Sequence, residues 1–298
     1  MKLAPLASLV AMPALVAGAM VAGPVFGTFA QEATPSAEVA AAIGGDGVLT
    51  NCVDPSFPPM EYFENQDAAR PIGFDIDLVN AVGERLGVEV EHVATEFTGL
   101  LPGLGSGRCD VVASGIYLTA ERLETFAAQP YYDTAIVLLA PVGETEIAAP
   151  EDLDGKVVAV QSGTNYINIL NELDARLKAE GKAGLTIQQY PKQTDAIQQL
   201  VVGRADATIT QDTEAAFRAS AQPGQFEIVY TYPETETFAI YYRPDATALG
   251  EALATAVEGM RDDGSLAGIA AAWNLPEAGA QFTEDIGAEA TPEATPAS

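Results

Sequence analysis

Two side chains in the sequence are well placed to hold a small molecule. Phe57 lies between Asp54-Pro55 and Pro58-Pro59, where proline fixes its own φ and restricts the residue before it. The ring is therefore presented with little conformational freedom left to lose on binding, although packing of the loop into the core would use the same arrangement. Arg122 lies in Leu118-Thr-Ala-Glu-Arg-Leu-Glu-Thr125, a turn into a helix with Thr119 as its expected N-cap. At the third helical position, beside free backbone N–H groups, an arginine can grip a carboxylate through paired hydrogen bonds. A solvated surface arginine fits the position as well, so the residue needs outside support.

Residues for covalent or acid–base chemistry are harder to assemble. There is no Gly-x-Ser-x-Gly elbow, and His92 sits in an alternating stretch among acidic residues, as an ordinary strand histidine would. Neither a Gly-x-x-x-x-Gly-Lys-Ser/Thr loop nor a Gly-x-Gly-x-x-Gly turn occurs. Asp75 and Asp77 flank a helix start, where negative charge meets the positive end of the dipole, so they read as capping residues. Cys52, Cys109 and His92 do not make a zinc set. The two cysteines are open to two readings, a disulfide or two separately buried thiols, because spacing cannot supply the required Cα separation. The sequence is built to bind rather than to catalyse, with no catalytic residue, cofactor or metal expected.

The elements that must position these residues alternate. Strand patterns at 48–53, 88–93 and 111–113 interleave with helical patterns at 76–86 and 100–104. The pattern starts again midway, with a strand ending at Val160, a polar loop at 161–165, a helix over 166–179, a strand over 186–190, a helix over 194–202 and a strand over 207–210. Extended apolar residues 132–140 link the halves, and a strand at 238–243 and helices at 248–260 and 266–273 close the chain. This order predicts an α/β fold of two lobes, each a largely parallel sheet with helices on both faces.

Composition narrows the partners. The 14 basic and 42 acidic residues leave a net charge of −28, and residues 48–275 alone carry 34 acidic and 13 basic side chains. Such a surface repels nucleic acid and anionic membranes. Residues 1–30 read as a secretory signal: Lys2, an apolar run to Met20, then Thr28-Phe-Ala30 as a cleavage site. Ala/Thr/Pro/Glu-rich stretches at 31–46 and 277–298 read as a disordered linker and a disordered acidic tail.

A family resemblance connects these observations. Asp54-Pro-Ser-Phe-Pro-Pro-Met60, Gly73-Phe-Asp-Ile-Asp-Leu78, Leu100-Leu-Pro-Gly-Leu104, Gly107-Arg-Cys-Asp110, Thr119-Ala-Glu-Arg122 and Pro130-Tyr-Tyr132 resemble family 3 extracellular solute-binding proteins. Leu153-Asp-Gly-Lys156, Gln161-Ser-Gly-Thr164, Gly203-Arg-Ala-Asp-Ala207 and Asp263-Gly-Ser265 continue the pattern in order. The resemblance implies a type II periplasmic-binding-protein-like fold with two crossovers, lobe 1 being 47–137 with 236–276 and lobe 2 being 138–235. It implies a monomer that captures an amino acid by cleft closure and hands it to the permease of an ABC importer, in the periplasm or at the cell surface. Carried over by position, it implies that Phe57 and Phe97 sandwich the ligand side chain and that Arg122 pairs with the α-carboxylate. Ser114, Gly115 and Tyr117 would lend backbone and hydroxyl groups, and Thr164 and Asn165 would close on the carboxylate. Asp212 would receive the α-ammonium, with Gln211 the alternative because one extra residue separates Asp206 from Asp212. Asp54 would meet the ligand side chain or cap its own loop. The rival expectation is a dehydratase of prephenate-like carboxylates, with Glu96 or Asp54 as its general acid.

Overall fold

The computed structural model describes residues 34–282. The signal expected at 1–30 and the end of the tail lie outside them. One eight-stranded sheet runs through the described chain. Its strands are β1 (Val48–Val53), β4 (Glu89–Ala94), β5 (Val111–Val112), β6 (Ala127–Pro141), β7 (Val157–Gln161), β8 (Thr186–Tyr190), β9 (Ala207–Gln211) and β10 (Phe226–Tyr242). Strands β2 (Ser56–Phe57) and β3 (Glu61–Tyr62) form a separate hairpin after β1. The helices are α1 (Ala37–Ala42), α2 (Phe74–Leu86), α3 (Leu100–Gly105), α4 (Ala120–Leu123), α5 (Tyr166–Ala179), α6 (Gln193–Val201), α7 (Asp212–Ala221), α8 (Thr247–Asp262) and α9 (Ser265–Ala272).

The strand order is β4-β1-β5-β10-β6-β9-β7-β8. At one end β1 pairs in parallel with β4 and β5, and at the other β7 pairs in parallel with β8 and β9. The two middle strands are the two crossovers. β6 has 15 residues and β10 has 17, which at roughly 3.3 Å per residue is long enough to serve both halves. Near its start β6 pairs β10 beside β5, and Ile136–Leu139 then pairs antiparallel with β9. The β6–β10 ladder slips between Thr231 and Thr235, next to the boundary drawn from the sequence at 235/236. Only 238–243 of β10 was expected to be a strand. Pro233 and the alternating Thr and Glu residues of 233–237 interrupt the pattern, although Phe226, Ile228, Tyr230 and Tyr232 before them alternate as a strand does.

Two terminal expectations need correction. The linker expected over 31–46 holds α1, with the Ser36 hydroxyl accepting the Val39 N–H at 3.1 Å and Val39 and Ile43 buried at i, i+4 spacing. The Ala-rich composition masked two apolar residues that cover α8. The tail expected from 277 instead continues as a 3-10 turn over Glu277–Gln281, with Gly279, Ala280 and Phe282 buried. Tyr132 Oη donates to the Pro276 carbonyl at 2.8 Å, and a side chain at Gly279 would meet the Tyr132 ring at 2.3 Å, so the turn is packed against β6. No helix among the described residues is long and apolar enough to cross a membrane.

Candidate functional site

Strand ends create the site. β1 delivers Asp54 and the hairpin with Phe57 and Glu61, β5 delivers Ser114, Gly115 and Tyr117, and α4 delivers Arg122. From the other half, β7 delivers Gln161 and the loop to Thr164 and Asn165, α5 begins with Tyr166, α6 contributes Gln193 and β9 ends on Gln211. These residues line one cavity together with Phe97. Loops at the carboxyl ends of α/β strands converge because every parallel strand points the same way.

Local geometry explains each placement. The Ser114 hydroxyl accepts the Asp54 N–H at 2.9 Å and donates to Glu61 Oε1 at 3.0 Å, tying three loop residues together. Gly115 has φ +49°, and a Cβ there would stand 2.7 Å from the Phe57 ring, so only glycine lets the chain pass behind that ring. Thr119 caps α4 as expected, its hydroxyl accepting the Arg122 N–H at 3.3 Å. Arg122 Nη1 donates to the Tyr117 carbonyl at 2.7 Å, and the guanidinium forms no ion pair among the described residues. It is thus oriented by a backbone group and left with donors to spare.

The two halves touch across the cavity. Gln161 Nε2 donates to Asp54 Oδ2 at 2.6 Å, and the Tyr117 and Tyr166 hydroxyls meet at 3.1 Å. Gly163 comes so close to Thr98 that a Cβ would lie 2.9 Å from its methyl. A water-sized sphere has about 20 Å³ in which to move, room for about one water molecule. Entry of anything larger therefore requires the cross-cavity pairs to part.

The ten ligand-site positions named from the sequence divide nine to one. Asp54, Phe57, Phe97, Ser114, Gly115, Tyr117, Arg122, Thr164 and Asn165 line the cavity. Asp212 does not. It starts α7 with its carboxylate turned to the Thr134 hydroxyl at 2.6 Å, and Gln211 occupies the wall instead. Gln211 is the last residue of β9 and Asp212 the first of α7, so the two neighbours belong to different elements. The sequence reading missed Glu61, Gln161, Tyr166 and Gln193. Glu61 follows the Pro58-Pro59-Met60 turn and looks like a solvated acid, and no local signal marks it as buried.

Asp75 also departs from expectation. The helix is capped by Gly73, and the Asp75 carboxylate is fully buried, accepting the Gly115 N–H at 2.6 Å and the Tyr131 hydroxyl at 2.8 Å. Asp77 instead accepts the Trp273 indole N–H at 2.7 Å. His92 stands apart from the cavity between Asn51 and Asn80, and burial lowers it to about 4, leaving it neutral. Cys52 and Cys109 are bonded to one another, with Cα atoms 5.7 Å apart.

Burial dominates the electrostatics. It raises Asp54 to about 6, against the opposing hydrogen bonds of its neighbours, among them Gln161. Burial and the neighbouring Asp75 carboxylate hold Glu61 well above the ordinary carboxylate range, and burial raises Asp75 to about 6. A cavity lined from both halves by a guanidinium, carboxyls and aromatic rings is the kind of site that holds a small polar solute. The chain belongs to the bacterial extracellular solute-binding proteins, family 3, which it matches over residues 49–276. Arginine-binding protein ArgT of Corynebacterium glutamicum is 31% identical over 242 residues, 81% of this chain and 79% of that one. An ancestral arginine-binding protein solved with arginine superposes with a TM-score of 0.70 at 30% identity, covering 76% of this chain and 98% of that one. The amino acid ABC transporter substrate-binding protein AbpA of Streptococcus pneumoniae, solved with L-arginine, gives 0.71 at 26% identity, covering 78% and 98%.

The family consists of binding proteins, and the dehydratase expectation finds no support. Of its two acid candidates, Glu96 is not part of the cavity wall and Asp54 is engaged by Gln161.

Proposed function

We propose that this chain is an exported receptor that captures an amino acid by closing lobe 1 (47–137 and 236–276) on lobe 2 (138–235) and presents it to the permease of an ABC importer. The observation that carries the reading is Arg122, an oriented guanidinium without an ion-pair partner among the described residues, on the wall of a cavity spanned by both halves. A zwitterion needs a fixed cation for its carboxylate and acceptors for its ammonium, both sheltered from water. Asp54 from one half and Gln211 from the other line the cavity as acceptors, and Phe57 and Phe97 offer apolar faces to the methylenes of a side chain. Because the contacts come from both halves, the ligand favours the closed form over the open one. A thermal-shift screen of the amino acids, with polyamines and opines alongside, tests this. One amino-acid class at saturating concentration is expected to raise Tm by about 5 °C or more, since binding the native state alone at 100 times Kd adds about 2.7 kcal/mol. A flat screen would sink the reading.

The Gln211 placement gives a second test. Calorimetry on Gln211→Ala is expected to show about a tenfold weaker Kd for that amino acid, the scale of a buried hydrogen bond lost. Asp212→Asn, which alters a group facing Thr134, is expected to stay within about threefold. The reverse ranking would restore Asp212 as the ammonium acceptor.

A further inference from the structure

The two halves also meet outside the cavity. Tyr62 of β3 packs against Phe217 of α7, with ring centroids 5.5 Å apart and planes tilted by 59°. Neither residue lines the cavity, yet each rides on an element that flanks it: Tyr62 follows Glu61, and α7 starts directly after Gln211. The hairpin and α7 belong to opposite halves, and the chain crosses between those halves in β6 and β10. A hinge movement that parts Gln161 from Asp54 across the cavity therefore draws Phe217 away from Tyr62 as well.

Each ring is fixed by its own half. The Tyr62 N–H donates to the Ile72 carbonyl and the Tyr62 carbonyl accepts the Ile72 N–H, both at 2.9 Å. Its ring meets Trp273 edge-on, with centroids 6.2 Å apart and planes at 82°. The Trp273 indole is held in turn by Asp77 of α2. On the other side, Glu214 is fully buried and pairs with Arg218 at 2.9 Å. The same carboxylate takes the Thr210 hydroxyl and the Gln193 amide, so the turn of α7 that carries Phe217 is tied to β9 and to the cavity wall. Two rings held in this way lose little freedom when they meet, and an aromatic pair adds stabilisation beyond the area it buries.

We propose that Tyr62 and Phe217 form a clasp that sets how firmly the receptor closes, and so its affinity, without touching what it binds. The inference rests on the reading of this cavity as an amino-acid site that closes on its occupant. The clasp is made in the closed form and parted in the open one, so it favours closure by the same amount whichever amino acid is inside. Affinity rises by one common factor, while the ranking of amino acids stays with the cavity residues. The factor acts on reopening of the occupied receptor, so it falls on the dissociation rate more than on the association rate.

Calorimetry and stopped-flow kinetics of the full chain, with the two amino acids that raise Tm most in the screen above, test the clasp. Phe217→Ala is expected to weaken both by about three- to tenfold, by the same factor to within about twofold, with dissociation faster to match. Phe217→Tyr keeps a ring and should hold affinity within about twofold of the unmodified chain. Tyr62→Ala combined with Phe217→Ala should lose no more than about the larger single effect, as partners in one contact do. A Phe217→Ala protein with a lowered Tm but unchanged Kd and dissociation rate overturns the inference. So does one that binds more tightly, since the contact would then favour the open form. A Tyr62→Cys/Phe217→Cys protein gives an arm that needs no amino acid. A short bis-maleimide is expected to bridge that pair in the ligand-free chain, the native cysteines being bonded to one another. A pair that cannot be bridged overturns the clasp. Failure of every amino acid to bind overturns the amino-acid reading instead.

Discussion

Arg122→Ala is expected to weaken binding of the cognate amino acid by about 2–5 kcal/mol, the scale for stripping one partner from a buried charge pair. The loss is large because the alanine variant leaves a carboxylate in a closed cavity with nothing of opposite charge beside it. Nη1 is already oriented on the Tyr117 carbonyl at 2.7 Å, so the native guanidinium loses little freedom when a ligand arrives. Arg122→Lys is expected to recover only part of the loss, since an ammonium cannot reproduce a planar two-point grip. The single tryptophan offers a convenient readout beside calorimetry: Trp273 packs edge-on to Tyr62 at 6.2 Å, and Tyr62 in turn contacts Phe217 of α7 in the opposite half. Closure that moves α7 therefore alters the surroundings of the indole. Calorimetry on a folded Arg122→Ala protein with undiminished affinity would remove Arg122 from the site.

Breaking the Cys52–Cys109 bridge is expected to cost about 2–5 kcal/mol of stability, the usual range for a native disulfide. The two cysteines are separated by 57 positions, and a loop of that size costs the unfolded chain much of its entropy when closed. The enclosed segment contains Phe57, Glu61, Asp75 and Phe97, so the bridge also shortens the reach of the segment that builds the lobe 1 wall. Cys52 and Cys109 are completely buried with Leu100, Leu104, Val112 and Ile116, so a Cys52→Ser/Cys109→Ser variant adds the burden of two buried hydroxyls. Cys→Ala at both positions separates the two contributions. Urea unfolding with and without reductant checks the expectation, and an unchanged midpoint in the reduced protein would refute it.

Much of the architecture could be read without coordinates because the signals are local. Leu86-Gly87 ends α2 with Gly87 at φ +70°, the left-handed conformation a helix stop calls for. Thr119 caps α4 at the expected residue because a cap and its target lie within one turn. The Phe57 and Arg122 loops follow from rigid prolines and from a helix start, and both enter the cavity. The misreadings arose where a decisive neighbour is far along the chain. Asp75 looked like a cap, yet its partners are Gly115 and Tyr131, 40 and 56 residues away. Asp212 was offered as the ammonium acceptor, yet its carboxylate takes the hydroxyl of Thr134, 78 residues earlier, and Gln211 lines the cavity.

Residue types and spacings alone pointed to an α/β body and to a chain built to bind rather than catalyse, with Phe57 and Arg122 as candidates that core packing and a solvated surface position fit as well. Periodicity, caps and proline act over a few residues, so they survive in the sequence. The tertiary structure decided which acids count. Glu61 is one of 42 acidic residues in a chain of net charge −28, and nothing in its own segment distinguishes it from the solvated majority. Only the fold removes it from water and sets it against Asp75, and desolvation and a like charge at close range are what bind a proton there.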